Sequence, residues 1–173
     1  HLGRIPKLVR DGFRGKIYST APTKELAHVM LLDSMRVLQR NAEQNKTEAL
    51  YDEHNVETTM GLWEAIPYHS EVVVGKEFRA VFKDAGHILG SAMVEFTHQG
   101  KKIVFTGDLG NSPAPLLRDT ETIVDADYLI MEAVYGDRNH EDKNERKSKL
   151  EDVIEDTISR GGVLMIPAFS VER

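Results

Sequence analysis

The sequence predicts an α/β fold in which helices and strands build one layered domain. Two changes of pattern along the chain support this prediction. Apolar residues first recur at helical spacing, and from Glu71 onward they alternate with period two, as in strands. The composition agrees, because 173 residues with 40% hydrophobic and 29% charged residues are enough for one globular core.

The first half of the chain reads as a short strand followed by two helices. The stretch "GKIYST" alternates and predicts the strand. A helix follows, with Thr20 or Thr23 as its N-cap and Pro22 in its first turn, and it continues to about Asn45. Its apolar face consists of Leu31, Leu32, Met35, Leu38 and Ala42. The stretch "VETTMGLWEAI" predicts a second, shorter helix that carries Trp63.

The second half reads as strands, one helix and a last strand. The stretch "EVVVGKEFRAVF" predicts two strands joined at residues 75–76, and "SAMVEFTHQGKKIVFTGD" predicts a hairpin that turns at residues 99–100. The apolar stretch "ADYLIMEAVYG" predicts a strand and a loop. A helix with a charged outer face follows and ends at residues 161–162, and "VLMIPAF" predicts one more buried strand.

The net charge and the composition argue against several classes of function. The net charge is −6 and no basic run occurs, which argues against a protein that binds nucleic acid by simple electrostatic attraction. The net charge does not exclude an enzyme that holds cations in an acidic cleft, because the metal then supplies the positive charge. The absence of cysteine excludes disulfides and thiolate metal sites and fits the cytoplasm. No apolar run approaches the ~18 residues of a membrane span, so no membrane partner is expected.

Three polar residues each follow a predicted strand, and these are the candidate site residues. They are His87 after "AVFKDAG", Asp108 in "IVFTGDLGN" and Glu132 in "YLIMEAVYG". Rigid strands aim the side chains at their ends into one crevice, and His and Asp suit zinc, with Asp able to bridge two ions. For His28, His54 and His69 we expect a surface or core position instead.

These motifs resemble the metallo-β-lactamase fold and, within it, the β-CASP nucleases that cut RNA. "DAGHILGSA" resembles the third metal motif of the family, "FTGDLGN" the fourth, and "MEAVYGDRNH" the first motif specific to β-CASP proteins. "HLGRIPKLV" resembles the residues that begin with the last His of the family's HxHxDH motif, and "GGVLMIPAFSVER" resembles the crossover into the β-CASP domain. Ile88-Leu89 after the third-motif His is typical of RNA-cutting members.

The resemblance implies the site and its chemistry. His1, His87 and Asp108 would be metal ligands, with Asp108 bridging two Zn²⁺ ions, and Asp108 and Glu132 would be the catalytic residues. The zinc ions would polarise the phosphodiester and lower the pKa of water, while Glu132 would orient a His that lies outside this chain. His140 lies either near the mouth of the site or at a solvated helix start. "EAVYG" departs from the family's Glu-Ser-Thr-Tyr-Gly and lacks two hydroxyls, and Glu172 stands where Gly is common.

The resemblance also predicts that this chain is a fragment. Residues 1–160 would be a partial metallo-β-lactamase domain of the αββα type without its N-terminal strands, and residues 161–173 the start of the crossover into a β-CASP domain. We therefore expect the full protein to be a zinc-dependent ribonuclease and these residues alone to be inactive, with weak or absent metal binding. We also expect an exposed apolar edge that favours a homodimer. The alternatives are another metallo-β-lactamase-fold hydrolase and a non-catalytic scaffold of an RNA-processing complex.

Overall fold

The computed structural model describes residues 2–111, 113, 116–139 and 142–168. The chain divides into two compact units, His1–Met131 and Glu132–Arg173. Both helices and sheets are present, which confirms the predicted mixed α/β class. In the part of the chain that the structure describes, no helix combines the length and apolarity that a membrane crossing requires.

The first unit begins with a helical region around a small parallel sheet. A 3₁₀ turn over Leu2–Arg4 leads into its elements, which are α1 (Ile5–Arg10), β1 (Ile17–Ser19), α2 (Ala21–Asn45), α3 (Glu53–Gly61) and β2 (Trp63–Ala65). Helix α2 starts directly after its N-cap Thr20, with a proline in its first turn, as predicted. Helix α1 was not predicted, because six residues are too few to show a helical period.

The core of this region is built by α2 and by the residues that face it. Leu31, Met35 and Ala42 of the predicted apolar face are buried, and Leu32 and Leu38 pack against the same core while staying partly exposed. The buried cluster comprises Ala27, Leu31, Met35, Tyr51, Val56 and Trp63.

The predicted helical position of Trp63 is wrong. Helix α3 ends at Gly61, and Trp63 begins β2, which pairs in parallel with β1 so that Ile17 lies opposite Trp63. The indole N–H of Trp63 donates to the Ser19 hydroxyl at 2.8 Å, and this partner lets the large ring stay buried. A strand of only three residues cannot be distinguished from the end of a helix by periodicity alone.

The rest of the first unit is a sheet of five strands in the order β3-β4-β5-β6-β7. The strands are β3 (Glu71–Val74), β4 (Phe78–Asp84), β5 (Ala92–His98), β6 (Lys101–Phe105) and β7 (Tyr128–Ile130). All neighbours are antiparallel except β6 and β7, which run in parallel. Both predicted turns are confirmed, and Gln99 (φ 47°) and Gly100 (φ 75°) have the positive φ angles of a type I′ hairpin turn.

In the second unit a 3₁₀ turn over Lys143–Glu145 leads into α4 (Arg146–Ser159), and Gly161 follows the helix with a φ of 63°. The prediction of a buried strand over "VLMIPAF" is wrong for the residues of this stretch that the structure describes. Residues 163–168 form neither helix nor strand, and Val163 and Met165 are 87% and 86% exposed. Within the described part of the chain no strand pairs with this segment, so its backbone lacks the hydrogen bonds that define a strand.

Candidate active site

The sheet brings the loops of two predicted site residues to one edge. Strand β5 is antiparallel to both β4 and β6, so β4 and β6 end at the same edge. Residues 85–91, here called the His87 loop, connect β4 to β5. Residues 106–111, the Asp108 loop, follow β6. The order of the strands therefore places the two loops side by side.

His87 and Asp108 lie close enough to bind one metal ion together. The distance from His87 Nε2 to Asp108 Oδ2 is 4.0 Å. Typical Zn–N and Zn–O distances are each about 2.0–2.2 Å, so an ion between the two atoms could reach both. The His87 side chain is 31% exposed and that of Asp108 is 79% exposed, which leaves the position accessible from solvent.

The tautomer of His87 is set by the neighbouring loop. Nδ1 lies 3.1 Å from the backbone carbonyl oxygen of Leu109, and since a carbonyl only accepts, Nδ1 carries the proton in the neutral ring. The lone pair is then on Nε2, the atom that faces Asp108. A backbone partner on the second ring nitrogen is the usual arrangement of a metal-binding histidine. The pair thus fits a metal ion in donor type and tautomer, and its spacing is close to the largest that one ion can bridge.

Two glycines allow close backbone packing, Gly86 against residues 118–120 and Gly110 against the His87 loop. Gly86 has a φ of 63°, and a Cβ there would lie 2.8 Å from the backbone oxygen of Arg118 and 2.8 Å from the backbone nitrogen of Thr120. A Cβ on Gly110 would lie 1.8 Å from the carbonyl oxygen of Gly86. Only residues without a side chain permit this approach. The Gly110 N–H donates to the Ala85 carbonyl at 2.8 Å and joins the two loops directly.

Hydroxyl groups fix the far end of the His87 loop. The Ser91 side-chain oxygen accepts from the N–H groups of His87 at 3.0 Å and Ile88 at 3.2 Å. Two threonine hydroxyls, at positions 20 and 23, donate to the Gly90 carbonyl at 2.7 and 2.9 Å. The Tyr68 hydroxyl donates to the Ser91 carbonyl at 2.9 Å. These bonds hold the loop against α2 and against the segment before β3.

The Tyr68 hydroxyl is strongly biased toward its neutral form. Burial, followed by the negative charges of Asp84 and Glu121, raises the pKa of Tyr68 to about 12. The phenol therefore remains a hydrogen-bond donor throughout the physiological range of pH.

Sequence reasoning missed the residues that fix the near end of the His87 loop. The Glu121 N–H donates to the Asp84 carbonyl at 3.0 Å, and a Glu121 carboxylate oxygen accepts from the Asp84 N–H at 3.1 Å. The same carboxylate lies 2.8 Å from Nε2 of His69, which is exposed as expected. Burial opposes ionisation of Glu121, but these hydrogen bonds outweigh it and lower the pKa of the carboxyl. The loop sequence around Thr120 and Glu121 contains no pattern from which their contacts with the His87 loop could be predicted.

The other predicted site residues lie in the second unit or outside the described residues. Glu132 is partly buried, follows β7 by two residues and is the first residue of the second unit. His1 and His140 lie outside the described residues, as does Glu172. Among the residues that are described, no group of three or more His, Asp or Glu side chains is arranged to hold a metal ion.

Comparison with known proteins gives homologues along the whole chain. No family model matches. The chain is 35% identical over 173 residues to ribonuclease TTHA0252 of Thermus thermophilus, 31% identical over 180 residues to endoribonuclease YSH1 of Saccharomyces cerevisiae, and 32% identical over 176 residues to cleavage and polyadenylation specificity factor 73 of Drosophila melanogaster. All of this chain is matched each time, but it spans only 38%, 23% and 25% of these relatives. The predicted resemblance to RNA-cutting enzymes is thereby confirmed.

Proposed function

We infer that the chain belongs to the β-CASP family of metallo-β-lactamase-fold nucleases and forms part of a metal-dependent ribonuclease that hydrolyses RNA phosphodiester bonds. Its homologues along its full length include proteins named ribonuclease and endoribonuclease. The structural observation that carries the proposal is the approach of His87 Nε2 to Asp108 Oδ2 at 4.0 Å, with the opposite ring nitrogen occupied by the Leu109 carbonyl.

We propose Zn²⁺ as the metal, with His1, His87 and Asp108 as ligands and Asp108 bridging two ions. Imidazole and carboxylate are ligands that zinc accepts. When bound, zinc supplies Lewis acidity toward the phosphodiester and lowers the pKa of water toward neutrality. His87 is held as a lone-pair donor at Nε2, and Asp108 offers a carboxylate with two oxygens at the exposed side of the site.

We further propose Glu132 as a catalytic residue that orients a histidine contributed by a later part of the protein. In this arrangement the carboxylate would accept a hydrogen bond from the N–H of one ring nitrogen, so that the other ring nitrogen, when protonated, could donate its proton to the leaving oxygen. The proposed organisation is a partial metallo-β-lactamase domain of the αββα type over residues 1–160 and the start of the crossover into the β-CASP domain over residues 161–173.

The test compares RNA cleavage by the natural full-length protein that contains this sequence with that of its variants. A labelled single-stranded RNA is incubated with and without a chelator. His87→Ala and Asp108→Ala should each abolish cleavage, while His54→Ala, which changes an exposed histidine on α3, should cleave like the unaltered protein. Cleavage that persists in chelator and in both site variants would exclude the proposal.

We propose that residues 1–173 alone bind zinc weakly or not at all and therefore do not cleave RNA. Catalytic zinc normally has three protein ligands, whereas the described residues bring only two candidate ligand side chains together. The measurement is the melting temperature of the isolated chain with and without micromolar zinc, and a large increase would contradict this proposal.

We also propose that the isolated chain forms a homodimer. Strand β7 stands at the edge of the sheet with Tyr128, Leu129 and Ile130 each about half exposed, at 61%, 50% and 47%. An exposed apolar edge strand favours pairing with a second copy. Light scattering at high concentration tests the dimer, and a monomer under these conditions would refute it.

We propose in addition that the protein acts in the cytoplasm. Fluorescence microscopy of the tagged full-length protein tests this location.

A further inference from the structure

We propose that Thr120 is a positioning residue that holds the His87 loop and the Asp108 loop at the separation at which His87 and Asp108 share a metal ion. The proposal rests on the proposed function, because it concerns the geometry of that metal site. Thr120 itself would contact neither metal nor RNA and would act through the backbone of the two loops.

The hydroxyl of Thr120 reaches both loops. It donates to the Ala85 carbonyl at 2.9 Å and lies 3.5 Å from the Gly110 carbonyl oxygen. The Gly110 N–H donates to the same Ala85 carbonyl at 2.8 Å, so this oxygen accepts from two donors. Ala85 is only 1% exposed, and water therefore has little access to replace a lost donor. Thr120 thus closes a three-way junction between its own segment and the two site loops.

The backbone beside Thr120 is fixed by separate contacts. The Glu121 N–H bonds the Asp84 carbonyl at 3.0 Å, and the backbone around Thr120 packs against Gly86 so closely that no Cβ would fit there. Removing only the hydroxyl leaves these contacts in place. A valine at this position therefore isolates the contribution of the junction.

The junction lies two residues from each proposed ligand. His87 is two residues after Ala85, and Asp108 is two residues before Gly110. A shift at the junction is therefore passed to both donor atoms over a short stretch of backbone. Loss of a group that orients metal ligands typically weakens metal binding or activity about 10- to 100-fold.

The test measures zinc affinity and RNA cleavage in the natural full-length protein. Thr120→Val removes the hydroxyl and keeps the shape, and Thr120→Ser keeps the hydroxyl. Thr59→Val is the matched control, because Thr59 is fully buried on α3 and its hydroxyl donates to the Asn55 carbonyl at 2.7 Å. Calorimetric titration with Zn²⁺ gives the Kd, thermal melting gives the stability, and cleavage is measured at limiting and saturating zinc.

We expect Thr120→Val to raise the Kd for zinc about 10-fold or more and to lose most of its cleavage at limiting zinc. Thr120→Ser should retain the affinity of the unaltered protein, and so should Thr59→Val even if its melting temperature falls. Three results would overturn the role of Thr120 while the proposed ribonuclease stands. They are an unchanged Kd for zinc in Thr120→Val, an equal loss of zinc affinity in Thr59→Val, and a loss of zinc affinity in Thr120→Ser. An unaltered protein that neither binds zinc nor cleaves RNA overturns both.

Discussion

The closest backbone approach in the site predicts the effect of a single added methyl group. A Cβ at position 110 would lie 1.8 Å from the Gly86 carbonyl oxygen and 2.2 Å from its carbonyl carbon. Ordinary van der Waals contact for a Cβ begins at 3.4 Å, so Gly110→Ala requires the loops to separate by 3.4 minus 1.8, about 1.6 Å. A movement of that size breaks the bond from the Gly110 N–H to the Ala85 carbonyl, which is 2.8 Å long.

The separation should remove shared metal binding. His87 Nε2 and Asp108 Oδ2 are already 4.0 Å apart, close to the largest spacing that one ion can bridge at about 2.0–2.2 Å from each atom. A misplacement of about 1 Å can cost about 100-fold in rate, so we expect at least that loss in kcat/KM for RNA. The free energy of unfolding should fall by about 1–3 kcal/mol, as is typical of overpacking.

The assays are zinc titration, cleavage of single-stranded RNA and urea unfolding of the full-length protein. Gly61→Ala is the control, since a Cβ at the end of α3 meets nothing within 4 Å. It should keep both affinity and rate. Near-normal zinc affinity and cleavage in Gly110→Ala would refute the claim that contact between the two loops sets the site.

Three further outcomes follow from the fold. Leu31→Ala, at a fully buried position of α2, should lower the free energy of unfolding by about 2–5 kcal/mol in urea titration; a loss below this range would show that Leu31 is not central to the core. Glu95 is 8% exposed and lies 3.3 Å from Lys83 Nζ and 3.9 Å from Lys102 Nζ, so Glu95→Ala should cost about 3 kcal/mol in the same assay by leaving both lysines without this carboxylate; no change would show that these ion pairs do not stabilise the sheet. The pKa of Tyr68 is about 12 in the folded protein and 10.0 in an unfolded chain. The contribution of this shift to the free energy of unfolding is therefore complete below pH 10 and is lost as the pH rises to about 12. Tyr68→Phe should flatten that part of the stability curve, and identical alkaline curves would contradict the assignment.

Much of the sheet could be predicted from the sequence because its signals are local. Alternation over β4, β5 and β6 and the turn residues 99–100 each determine a feature within a few positions. The register that follows from them places the ends of β4 and β6 at one edge, and so the pairing of His87 with Asp108 could be anticipated from the position of each after a strand.

The features that sequence reasoning missed depend on contacts between distant residues. Trp63 takes part in β2 because β1 lies beside it, 46 positions earlier at Ile17, and no local period reports that pairing. Thr120 and Glu121 hold the His87 loop through backbone groups more than 30 positions away, and hydrogen bonds to backbone leave no trace in residue type. The segment 163–168 shows the converse, because apolar composition without a pairing partner does not make a strand.

The first turn of α2 uses its hydroxyl groups in an unusual way. Thr20 is the N-cap residue and is 3% exposed, yet its side chain does not cap its own helix and bonds the Gly90 carbonyl instead, together with Thr23. The helix consequently gives up a local stabilising interaction to tether a loop 67–70 positions further along the chain. Fraying of that turn, by heat or by a substitution in the buried face of α2, would loosen this contact, so damage to the helical core should also disturb the position of the His87 loop.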